Sequence, residues 1–195
     1  NFEIDNIDKW QAKPKLMGAA TKEAAWAMSD AVDAFIAALL NAAVPAANLR
    51  TAATVGTGAT DADMYEVMVD LDVLLTTNNV PRGGDRWIVV APGHEGLLRK
   101  DPRFVSFGTE ANKTYLRSTP VGTASGFTVY VSNNVPSGTD VLAGYKGAGT
   151  FAEQIDQVVA FSPHDSFSDA LKGLHLYGGL VTRPYALAKC VATLA

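Results

Sequence analysis

The sequence predicts an α+β fold, and three observations predict it. One stretch, Leu16 to Ala42 (LMGAATKEAAWAMSDAVDAFIAALLNA), reads as a single long helix with no partner of comparable length elsewhere. A second amphipathic helix follows from Met64. Short apolar or alternating runs, among them Arg86 to Ala91 (RWIVVA) and Phe127 to Ser132 (FTVYVS), lie between turn signals as strands do. With 195 residues the chain can bury one good core or two small lobes.

Taken in order, Phe2 to Ile7 (FEIDNI) alternates apolar and acidic residues, the pattern of a half-buried strand. A strand at the very start implies a lost beginning. The long helix carries Met17, Thr21, Ala24, Met28, Ala31 or Val32, Phe35 and Leu39 at a spacing of three to four, which places them on one core-facing stripe. Pro14 and Pro45 stop it at both ends. At 1.5 Å per residue it makes a rod of about 40 Å, the spine of an elongated molecule. Its opposite face holds Lys22, Trp26, Ser29, Asp30 and Asp33, a Trp among charges. Either Trp26 packs under a local loop or it lies at a subunit contact, where Trp is enriched.

The stretch AANLRTAATVGTGATD after Pro45 reads as a linker to a second lobe, with the boundary near Arg50 and with Gly56 and Gly58 as its hinge. Thr60 to Asp63 has the form of a capping box. The helix behind it places Met64, Val67, Met68, Leu71, Leu74 and Leu75 on one face, and Asn78 to Gly84 ends it. Arg86 to Ala91 is a buried central strand, and Pro92 and Gly93 turn the chain into a short helix closed by Asp101-Pro102. Strands are expected at Lys113 to Pro120, Phe127 to Ser132, Val141 to Lys146 and Gln157 to Phe161, with short helices at Gly147 to Gln154 and Asp165 to Lys172. The tail from Leu174 to Leu194 reads as two β segments separated by Arg183-Pro184.

Composition narrows the function. The chain is 48% hydrophobic and 18% charged, with mean hydropathy +0.08, which favours a protein that buries surface against copies of itself. A net charge of −4 argues against a dedicated nucleic-acid reader, which carries a basic stripe. Cys190 is the only cysteine, so the chain has no internal disulfide and no multi-cysteine metal site; it reads as a buried small hydrophobe. No run of apolar residues is long enough to span a membrane.

No catalytic constellation, cofactor motif or metal motif emerges. His94, His164 and His175 lie far apart in sequence, and His94 and Glu95, an acid-base pair on paper, point to different sides of a helix. The Gly-rich segment Val55 to Thr60 lacks the lysine of a phosphate loop, no GxSxG surrounds any serine, and Arg82-Gly-Gly-Asp-Arg86 reads as a solvated turn.

The order of the pieces resembles the major capsid protein of tailed bacteriophages, with the Hong Kong 97-type fold. The resemblance rests on a segment with Asp5, Asp8 and Gln11 leading into the Ala-rich helix with Val32-Asp33 near its end. It continues through a capped helix ending in Asn78-Asn-Val-Pro81, then Arg86-Trp-Ile-Val-Val-Ala-Pro92, Leu97-Leu98 and Asp101-Pro-Arg-Phe104. Later come Gly126-Phe-Thr-Val-Tyr-Val-Ser-Asn-Asn-Val-Pro136 and Tyr177-Gly-Gly-Leu-Val-Thr-Arg-Pro-Tyr-Ala-Leu187. It implies a peripheral domain of residues 1–50 and 174–195 with the spine helix, and an axial domain of residues 51–173 whose central sheet is flanked by helices. It also implies a non-enzymatic subunit that assembles with its copies into pentamers and hexamers of an icosahedral virion shell around double-stranded DNA. Assembly is expected in the host bacterial cytoplasm, with scaffold and portal proteins as further partners. DNA is touched only weakly, through Lys13, Lys15 or Lys22, and no membrane is involved. The family's N-terminal arm and most of its extended loop have no counterpart, so the chain is expected to be a trimmed subunit unable to close a regular shell. On this resemblance the Trp26, Asp30 and Asp33 face tilts toward a subunit contact, and Gly56 and Gly58 hinge quasi-equivalent positions. Two other readings compete: a small α+β enzyme with His94 and Glu95 as acid and base, and the shell protein of a cellular nanocompartment, which shares the fold.

Overall fold

Good helix formers and an apolar stripe give the long helix α1, Leu16–Ala42, its expected bounds. The structure, a computed structural model, describes residues 2–5, 16–58, 60–101, 122–161, 164 and 168–195. The chain divides into two compact units: residues 1–35 with 151–179, and residues 36–150 with 180–195. These bounds differ from the expected division at residues 50 and 173, because α1 contributes to both units and the chain returns to the second one at Leu180.

The first unit contains α1 as far as Phe35 and a three-stranded sheet of order β1-β8-β7. Here β1 is Phe2–Asp5, β7 is Gly149–Phe161 and β8 is Ser168–Val181. β1 runs antiparallel to β8, with Phe2 opposite Leu171 and Asp5 opposite Ser168. The sheet overturns two expected helices. Residues 147–154 form a single 3-10 turn at Lys146–Ala148 and then enter β7, and Ser168 to Lys172 belong to β8. Periodicity over such short windows cannot separate strand from helix, and the cross-strand partners decided it. The odd-numbered side of β8 faces α1: Tyr177 meets Phe35 edge-on at 5.3 Å, and a Cβ at Gly173 would touch the Met28 sulfur at 3.4 Å. Val32 is buried, and Ala24 and Met28 are half-buried, whereas Thr21, Ala31 and Phe35 of the expected stripe remain more open.

The second unit is built on a mixed six-stranded sheet of order β2-β9-β6-β3-β5-β4. The strands are β2 Leu49–Val55, β3 Arg86–Val90, β4 Thr123–Ala124, β5 Phe127–Val131, β6 Asp140–Tyr145 and β9 Leu187–Leu194. β2 and β9 are parallel, as are β3 and β5, and the other pairs are antiparallel. The stretch expected to be a linker is therefore largely a strand, and β9 lies inside this sheet between β2 and β6. Its small apolar residues explain that place: Leu187, Ala188, Cys190 and Ala192 are all buried, and small side chains let neighbouring elements approach closely.

Two helices complete the unit, α2 at Met64–Thr77 and α3 at Pro92–Lys100. α2 buries Met64, Val67, Met68, Leu71 and Leu75, as its spacing predicts, into one core with Ile88, Val90, Leu98, Phe127, Val129, Val141 and Leu187. Its N-cap is Asp63, with no side-chain capping bond, so the expected capping box from Thr60 does not form. The strand expected at Lys113 to Pro120 lies outside the described residues.

Candidate assembly surface

The residues with chemical potential inside the second unit are committed to holding it together. Arg86, at the start of β3, is 1% exposed. Its Nε donates to the Pro81 carbonyl at 3.0 Å, and its Nη1 donates to Thr76 Oγ1 at 3.1 Å and to the Asp72 carboxylate, while Nη2 donates to the Val80 carbonyl. Asp72 also accepts from Arg82 Nη2 at 2.6 Å. Residues 82–85 are exposed, as a solvated turn should be, and Arg86 at its end is the exception, a buried guanidinium whose planar fork suits several acceptors at once. Asn48 does similar work: its Nδ2 donates to the carbonyls of Tyr185 at 3.0 Å and Leu187 at 2.7 Å, and its Oδ1 accepts from Asn78 at 2.8 Å. These residues gave no sequence signal beyond being polar beside apolar runs.

His94 is fully buried, and its Nε2 lies 2.7 Å from the Ala192 carbonyl, so that nitrogen carries the proton and ties α3 to β9. Glu95 turns instead to Arg99, one helical turn on. The two residues are not brought together: His94 holds the Ala192 carbonyl and Glu95 pairs with Arg99. Gly56 and Gly58 wrap the side chain of Asp61, which accepts from the Gly58 N–H at 2.9 Å; a Cβ on Gly56 would come within 2.4 Å of that carboxylate. Close approach accounts for both glycines. Arg50 on β2 meets Asp70 at 2.6 Å and the Cys190 sulfur at 3.6 Å. Burial lowers its pKa, but the hydrogen bonds to Asp70 and Cys190 outweigh that and leave the guanidinium above its ordinary value. Among the described residues no group of His, Cys, Asp and Glu is arranged to hold a metal ion, and no helix is long and apolar enough to cross a membrane.

What remains available is surface. Trp26 is 70% exposed on the side of α1 turned from the sheet, with Glu23 and Asp33 exposed nearby and Asp30 half-buried. Exposed aliphatic and aromatic side chains continue on β8 at Leu174 and Leu176, on α2 at Val69 and Val73, and on β5 at Tyr130. Large apolar side chains thus stand on the outside of both units.

The model of the phage capsid protein family matches residues 4–190. A solved structure from Mycobacterium phage Che8 is 29% identical, with a TM-score of 0.74, over 97% of this chain and 68% of that one. The capsid structure of cyanophage P-SCSP1u is similar with a TM-score of 0.77 at 16% identity, over 100% of this chain and 71% of that one. The mature capsid of bacteriophage PhiM1 gives a TM-score of 0.68 at 15% identity, over 98% and 69%. No curated protein matches by sequence. The long helix, the mixed sheet and the matched residues lead to one conclusion: the chain belongs to the phage capsid protein family and is a structural capsid subunit with the Hong Kong 97-type fold.

Proposed function

We propose that the chain assembles with its copies into pentamers and hexamers of an icosahedral shell around double-stranded DNA, without catalytic activity. The family match over residues 4–190 carries this reading. The burial of His94 and the pairing of Glu95 with Arg99 favour a structural role for both over an acid-base one. The unit with the three-stranded sheet serves as the peripheral part and the unit with the six-stranded sheet as the axial part, which moves β9 from the expected peripheral part to the axial one. Trp26, Asp30 and Asp33 contribute to a subunit contact, and Gly56 and Gly58 lie where quasi-equivalent subunits adjust. Assembly proceeds in the host bacterial cytoplasm with scaffold and portal proteins. DNA is held by weak contacts that salt disrupts, with Lys22 as one cation.

Electron microscopy of the complete product of the gene that encodes this chain tests the proposal. Icosahedral shells are expected, with nucleic acid retained less as salt rises. A monodisperse small oligomer at every concentration overturns it.

A further inference from the structure

We draw no further inference here: the strongest candidate, the exposed leucine patch of Leu174 and Leu176 on β8 in the three-stranded sheet, carries nothing because nothing in the structure shows what covers it.

Discussion

Asp72 shows how much one side chain can carry. It receives Arg86, which is almost wholly buried, and Arg82, which is largely exposed. Removing one partner of a buried pair leaves the other charge stranded, so Asp72→Ala is expected to destabilise the second unit by about 3–5 kcal/mol in urea unfolding. Arg82→Ala removes only a solvated partner and is expected to change stability by less than about 1 kcal/mol. Equal losses from the two variants would contradict the buried knot. His94 poses the same question differently: His94→Ala strands the Ala192 carbonyl, and the expected result is a loss of roughly 1–3 kcal/mol in the same assay. None of this was legible in the sequence. Arg86 stands in a run of turn residues, and nothing local says that the carbonyls of Pro81 and Val80, the Thr76 hydroxyl and the Asp72 carboxylate converge on it from α2 and the turn behind it. His94 was legible only in the negative, since neighbours in a helix do not converge.

At the level of elements, residues with a strong period gave themselves away and short segments did not. The apolar face of α2 was read correctly from Met64 to Leu75, because 14 residues sample the 3.6 period several times. β3, β5 and β6 were legible as apolar runs between turns. β2 was not, since LRTAATV is a run of small residues with little β signal, and its strand state comes from pairing in parallel with β9. β7 and β8 were partly mistaken for helices because their stability is cross-strand and with α1. The glycines separate by their surroundings in the same way. A Cβ at Gly144 in β6 would come within 2.6 Å of the Trp87 ring and 2.8 Å of Leu187, so Gly144→Ala is expected to destabilise by about 1–3 kcal/mol through overpacking. Gly18 in α1 has nothing within 4 Å, and Gly18→Ala is expected to stabilise by about 0.5–1 kcal/mol with a gain in helical circular dichroism. The opposite signs follow from space alone, since neither position requires a positive φ.

For the whole molecule the question is how weak contacts build a strong shell, and Trp26 offers the measurement. Its ring is mostly in water in the isolated chain, so Trp26→Ser is expected to leave the unfolding free energy of the unassembled subunit within about 0.5 kcal/mol of the original. With Trp26 at a subunit contact, as proposed, every subunit that joins the shell brings one such residue to its neighbours. If the substitution weakens that contact by about 1.4 kcal/mol, the concentration at which shells appear rises about tenfold, because every added subunit forgoes the same increment. The expected signature is therefore a displaced assembly threshold in light scattering with an unchanged subunit melting curve. A Trp buried within its own subunit would give the reverse, a lower melting temperature with a threshold that moves only as far as the folded fraction does. The two measurements together separate a residue that holds the fold from one that holds the shell.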